Sequence, residues 1–218
     1  MTQRTVLSVS ILVVWVIAMA TAFWWFQWRN LRSFDTSESW RFYPETLPAE
    51  LQPLLARLPK DAAKGYLLHF WTPNCACNVG NLEHLARLGA RFSAEGIQLV
   101  VIGHPDEELP KLWRRVEKTW DGHIGILSAP LKPVIPGTPA ALVLDAHQQP
   151  IYFGPYSSSA DCSVADEGLI EYPLQSVVDA MPVRPQSYLS FGCFCDQPEF
   201  SSARPADVVY QPVLRGTL

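Results

Sequence analysis

At 218 residues the chain has room for one domain of ordinary size with extensions, and not comfortably for two. A formal net charge of −4 argues against nucleic acid as a partner, because phosphate backbones reward a basic surface. Five cysteines are too few for a disulfide-stapled scaffold and odd in number, and four of them fall into two Cys-x-Cys pairs, Cys75/Cys77 and Cys193/Cys195. That clustering points to redox chemistry or metal binding, with Cys162 standing alone.

After a short segment 1–5, no residue from Val6 to Phe26 carries a charge, a run long enough to cross a hydrocarbon core of roughly 30 Å as a helix. It closes on Phe23-Trp24-Trp25-Phe26-Gln27-Trp28 with Arg29 and Arg32 beyond, the aromatic and cationic belt that a membrane–water interface favours. A cleaved signal would need a shorter apolar core, and Ala18-Met19-Ala20 is followed by bulky aromatics rather than by a mature domain. Residues 6–28 are therefore expected to be a retained single-pass anchor. Arg4 precedes the span while Arg29, Arg32 and Arg41 follow it, so the arginine count alone does not put the C-terminal domain outside.

Residues 29–64 read as a linker, with a short amphipathic helix in Pro48–Leu58 marked by Leu51, Leu54, Leu55 and Leu58. Tyr66–Trp71 is a short continuous apolar run that suits a strand buried on both faces, and Thr72-Pro73-Asn74 breaks it. A helix is expected from about Cys75 to Phe92, with Leu82, Leu85, Leu88 and Phe92 as its apolar stripe. Ile97–Ile102 is the next strand, and Asp106–Trp120 a second helix. Ile124–Leu127 is a short strand; Ala140–Leu144 and Ile151–Phe153 form a hairpin; Tyr172–Met181 is a closing helix. Residues 183–218, rich in Pro and Ser, read as an irregular tail. Helices alternating with strands put the first strands in parallel pairs, and the hairpin adds antiparallel ones. The expectation is an α/β domain over 65–182, a mixed central sheet flanked by helices.

The chemistry falls at the junction of the first strand and its helix. A cysteine reacts as thiolate, so it needs a pKa below the free value of about 8.5, and a helix N-terminus supplies unpaired N–H groups and a positive dipole end. Cys75 occupies that place in the pattern. Phe70-Trp71-Thr72-Pro73-Asn74-Cys75 resembles the Phe-Trp-Ala-x-Trp-Cys approach to the active site of thioredoxins, and Gly137-Thr138-Pro139, leading into Ala140-Ala141-Leu142-Val143-Leu144-Asp145, resembles that family's cis-proline loop. The chain is similar over roughly residues 60–182 to membrane-anchored, thioredoxin-like thiol–disulfide proteins of the bacterial envelope, in a subgroup with Cys-x-Cys in place of Cys-x-x-Cys.

The resemblance implies a thioredoxin-like fold, a thiol–disulfide oxidoreductase or isomerase acting on protein thiols and disulfides, no cofactor, and a bacterial inner-membrane location with the soluble domain in the periplasm. It implies that Cys75 attacks, that Cys77 resolves the mixed disulfide, and that Thr138 and Pro139 hold the substrate chain. The family's second cysteine corresponds to Asn78 and its buried carboxylate to His69. His69, with an ordinary pKa of about 6.5, is either a proton relay to the thiols or a core histidine bonded to backbone. A Cys75–Cys77 disulfide would require a distorted first helical turn, since positions two apart do not share a helix face, and such a bridge would lean towards oxidation or isomerisation. Alternatively the tail pair Cys193/Cys195 reaches back and exchanges with the first. From another class, Cys75, Cys77, Cys193 and Cys195 offer four soft thiolates for copper or zinc, with His104 and His123 as further ligands. Thr72-Pro73-Asn74-Cys75 also echoes a peroxidase motif weakly, and a purely scaffolding domain with static bridges is a further alternative.

Overall fold

The structure, a computed structural model, describes residues 3–34, 55–58, 64–72, 75, 77–103, 116, 118–120, 124–128, 137–157, 168–182, 186–187, 190–193, 195 and 209–212. Helix α1, Gln3–Asn30, runs straight into strand β1, Leu31–Phe34. Within it Gln3–Trp25 is apolar and long enough to cross a membrane, and none of that stretch is buried by the rest of the protein. Thr21 satisfies its hydroxyl inside the helix, donating to the Ile17 carbonyl at 2.8 Å.

The core is built on β2, Gly65–Phe70, whose six residues are all buried. It pairs in parallel with β3, Ile97–Gly103, across helix α2, Asn78–Phe92, and antiparallel with β5, Ala140–Asp145. Strand β4, Ile124–Ser128, adds a parallel neighbour to β3, and β6, Pro150–Gly154, an antiparallel neighbour to β5. The β5–β6 turn is tied by Asp145, whose carboxylate accepts from the His147 and Gln149 N–H groups at 2.8 Å each. Helix α3, Glu171–Val178, closes the domain.

Strand alternation sends Leu67 of β2, Leu99 and Val101 of β3, and Ala141 and Val143 of β5 into one cluster, which Leu82, Leu85, Leu88 and Phe92 of α2 and Leu174 and Val177 of α3 complete. Trp120 lies in the same cluster, fully buried, its indole N–H donating to the Leu85 carbonyl at 2.9 Å. A Cβ on Gly89 would meet the Trp120 ring at 2.6 Å, which explains a glycine in mid-helix. A mixed central sheet flanked by helices is the architecture that the resemblance implied.

The tail is where expectation and structure part. Residues 183–218 were expected to be irregular, yet they supply β7, Gln186–Ser187; β8, Ser190–Cys193; and β9, Val209–Pro212. β7 and β9 take the two outer edges of a seven-stranded sheet ordered β7-β6-β5-β2-β3-β4-β9, and β8 pairs with β1 in a separate two-stranded sheet. The physical reason is edge satisfaction: strands β4 and β6 would otherwise leave ladder groups unpaired. The linker 29–64 is corrected likewise, since β1 lies within it. Of the amphipathic helix in 48–58 only 55–58 are described, with Leu55 and Leu58 buried; of the helix at 106–120 only Val116 and 118–120 are.

Candidate active site

The strand-to-helix junction differs in detail from the sequence expectation. Helix α2 begins at Asn78, with Cys77 as its N-cap, so Cys75 stands three residues ahead of the helix rather than in its first turn. The reason is a tight turn in which the Asn78 N–H donates to the Cys75 carbonyl at 3.1 Å. Two asparagines brace it. Asn78 donates its side-chain amide to the Thr72 carbonyl at 2.8 Å, closing the loop that carries Cys75, and Asn81 donates to the Cys77 carbonyl at 2.8 Å. At the place where thioredoxins have their second cysteine, this chain has a clamp.

The Thr138–Pro139 peptide bond is cis, matching the cis-proline resemblance. The loop packs against Cys75, whose Sγ lies 3.7 Å from the Thr138 carbonyl oxygen. Thr138 is fully buried, and its backbone makes both hydrogen bonds of an antiparallel bridge to Cys195, 3.2 Å from the Thr138 N–H to the Cys195 carbonyl and 2.8 Å in return.

That bridge delivers Cys195 to Cys75, and the two form a disulfide across a sequence separation of 120, with Cα atoms 5.7 Å apart. Of the pairings left open by the sequence, Cys75 takes the tail cysteine and not Cys77. The distorted, oxidising Cys75–Cys77 bridge is therefore not formed. Cys77 is itself disulfide-bonded. Its residue is 4% exposed and Cys75 6%, whereas Cys195 is partly open to solvent.

His69 is fully buried on β2, and burial holds its imidazole neutral with a pKa lowered to about 3. It does not change charge near neutral pH, so the relay expectation is replaced by a fixed neutral group. Nor is its Nδ1 partner a backbone atom: it shares a 2.8 Å hydrogen bond with the Tyr156 hydroxyl. The Tyr156 ring in turn stands edge-on to His84 of α2, ring centres 5.8 Å apart. His84 donates from Nε2 to Glu171 of α3 at 2.7 Å, and the second Glu171 oxygen accepts from the Gly168 N–H at 2.9 Å. Burial pushes the Glu171 carboxyl up, but the His84 and Gly168 hydrogen bonds and the His84 charge outweigh it and hold the pKa at about 2. Burial also raises the Tyr156 hydroxyl well above its ordinary value.

Tyr156, His84, Glu171 and Asn81 were not singled out from the sequence; only Asn78 stood at a position the resemblance marked. Among the described residues no three His, Cys, Asp or Glu side chains group as a metal site. In this state Cys75 and Cys195 share their sulfurs in a disulfide and are not thiolate ligands. Cys162, His104 and His123 lie outside the described residues, and Cys193 is described only as part of β8.

Solved structures similar to this chain share less than a fifth of its residues. A protein from Geobacillus kaustophilus is 18% identical, with a TM-score of 0.46 over 65% of this chain and 81% of that one. A Neisseria meningitidis structure named for a putative thioredoxin is 12% identical, TM-score 0.41, over 56% and 79%. A Chlorobium tepidum structure named for a thiol:disulfide interchange protein is 14% identical, TM-score 0.38, over 55% and 82%. No curated protein matches. A family model matches residues 45–197, a span that takes in both Cys-x-Cys pairs and leaves α1 outside. With more than half of its length matched, the chain belongs to the family described as Domain of unknown function (DUF6436).

Proposed function

We propose that the protein is a membrane-tethered thiol–disulfide oxidoreductase or isomerase acting on protein thiols and disulfides of the bacterial envelope, with Cys75 as its reacting sulfur. The observation that carries the reading is a disulfide made by Cys75 directly against the Thr138–Pro139 loop. The exchange chemistry needs a thiolate that can leave and return. Cys75 sits one tight turn ahead of the α2 N-terminus, where backbone N–H groups favour negative charge. The reduced thiol would find the Thr138 carbonyl as its acceptor, and the clamp from Asn78 closes the loop that carries it. Cys77, two residues on, is the second sulfur of the site, and Pro139 shapes the loop beside it.

Tethering is supported by α1, whose Ile11, Trp15, Ile17 and Phe23 are all exposed on the isolated chain. A continuous apolar cylinder of that kind is sustained in lipid and not in water. Placement of the soluble domain in the periplasm of an inner membrane follows from the chemistry, since lasting disulfides belong outside the cytosol.

Thiol trapping of the full chain in detergent micelles, across glutathione buffers, tests the reading. A cooperative two-thiol couple that vanishes in Cys75→Ser is the expected result. Thiols that never pair, while the purified protein retains stoichiometric copper or zinc, would replace exchange by metal handling.

A further inference from the structure

The exchange reading leaves open which sulfur a substrate meets first and which residue is the redox partner of Cys75. We infer that Cys195 is both: the working couple is Cys75/Cys195, and a substrate dithiol enters by attacking the Cys195 sulfur. The inference rests on the proposed exchange activity and deepens it.

Three observations converge. The first is the bond itself, joining the loop cysteine to the tail across a sequence separation of 120. The second is accessibility. A thiolate displaces the far sulfur of a disulfide along the S–S axis, approaching from the side opposite the leaving sulfur. Attack on Cys75 would have to come from behind a residue that is 6% exposed and packed on Thr138. Attack on Cys195 comes past a residue that is partly open. The third is positioning: both backbone hydrogen bonds to Thr138 hold residue 195 in one place, so its sulfur is presented rather than free to swing. Cys77 is nearly buried and already disulfide-bonded, so it is not a free resolving thiol in this state.

The step balances without any other oxidant. One substrate thiolate attacks Cys195 Sγ; the Cys75–Cys195 bond breaks, Cys75 leaves as thiolate, and a mixed disulfide joins the substrate to Cys195. The second substrate thiolate attacks its own sulfur in that mixed disulfide, closing the substrate disulfide and releasing the Cys195 thiolate. Two electrons pass from the substrate dithiol to the protein, and the Cys75 and Cys195 thiolates take up protons from solvent. With its sulfur free, residue 195 keeps its backbone bridge to Thr138. Its departure would expose an unpaired N–H and C=O beside the Cys75 thiol, an edge to which an extended polypeptide can add.

The test uses the oxidised full chain in detergent micelles and a synthetic peptide bearing a single cysteine, which can make the mixed disulfide but cannot resolve it. After acid quenching, peptide mapping by mass spectrometry locates the adduct, and alkylation identifies the freed thiol. The expected result is peptide on Cys195 with Cys75 alkylated in the wild type, and complete loss of that adduct in Cys195→Ser. Peptide appearing first on Cys75 or on Cys77 would overturn the assignment while leaving exchange activity in place. An intact Cys75–Cys195 bond and no adduct at any peptide concentration would overturn the exchange reading as well.

Discussion

The sheet-and-helix core around β2 and the tail beyond Met181 are held by different physics. In the core every element from β2 to α3 carries its own reason to form: apolar runs for the strands, a period-3.6 stripe for α2, and a shared cluster in which Leu67, Leu85 and Phe92 lose essentially all contact with water. The tail strands, two to four residues long, are too short to be stable alone. They exist because β4, β6 and β1 offer unpaired edges, and because a sulfur bond and the Thr138 bridge fasten residue 195 to the loop beside Cys75. A chain can thus carry a self-sufficient core and a borrowed periphery, and the Cys75–Cys195 bond lies between them.

Five measurements would sharpen or break that contrast, each by urea denaturation of the full chain in detergent unless stated. Phe92→Ala empties a fully buried site in the core and should cost about 3–5 kcal/mol; a loss under about 1 kcal/mol would mean the cluster is not the main source of stability. Reducing the Cys75–Cys195 bond, or replacing Cys195 by Ser, removes a cross-link spanning 120 residues and should cost about 2–5 kcal/mol. Hydrogen exchange should then show the Thr138 and Cys195 amides losing protection before those of β2; equal loss throughout would deny the tail its separate character.

Gly89→Ala comes next. Its methyl would press on the Trp120 ring and on the Thr119 hydroxyl, and overpacking of about 1–3 kcal/mol should outweigh the helix-propensity gain of up to ~1 kcal/mol. A stabilised variant would show that Trp120 yields.

The remaining effect is electrostatic. The folded pKa of His69, about 3, lies below the unfolded value of 6.5, so the unfolded chain binds more protons between those limits. Stability from this group is complete above pH 6.5 and falls by up to about 1.4 kcal/mol for each unit of acidification below it. Glu171, depressed from 4.5 to about 2, contributes fully above pH 4.5 and loses its contribution only as pH falls towards 2. A stability slope measured between pH 6.5 and 5 carries the His69 contribution without that of Glu171, and it should flatten in His69→Leu; an unchanged slope there would assign it to other groups.

The same contrast explains what the sequence could and could not say. Strands 65–70, 97–103 and 140–145 fall within a residue or so of their apolar runs, because burial on both faces writes itself into consecutive positions. Helix α2 was expected to begin at Cys75, since hydrophobic period does not register a tight turn closed by a single backbone hydrogen bond. Ser190–Cys193 and Val209–Pro212 have no period to read; their reason for being strands lies in partners far along the chain. The cysteine pairing was open for the same reason, as spacing cannot choose among partners. The buried chain from His69 through Tyr156 and His84 to Glu171 joins four segments, and nothing local announces that their side chains meet.

The pairing of β1 with β8 sets a leash. Leu31, the first residue after α1, stands opposite Cys193, and antiparallel partners lie about 5 Å apart. Cys195 is two residues further, at most about 7 Å. Six helical residues back to Trp25, the end of the apolar stretch, add about 9 Å. With α1 in a bilayer, the proposed reacting bond cannot stray more than roughly 20 Å from the hydrocarbon boundary. Quenching of a fluorophore on Asp196 by headgroup-labelled lipids would check this, and no quenching would mean the leash is not taut in the membrane. A bond so confined would be met by the proposed substrates in two dimensions: proteins at the bilayer surface would find it by lateral diffusion, while those free in solution would have to come down to the lipid first.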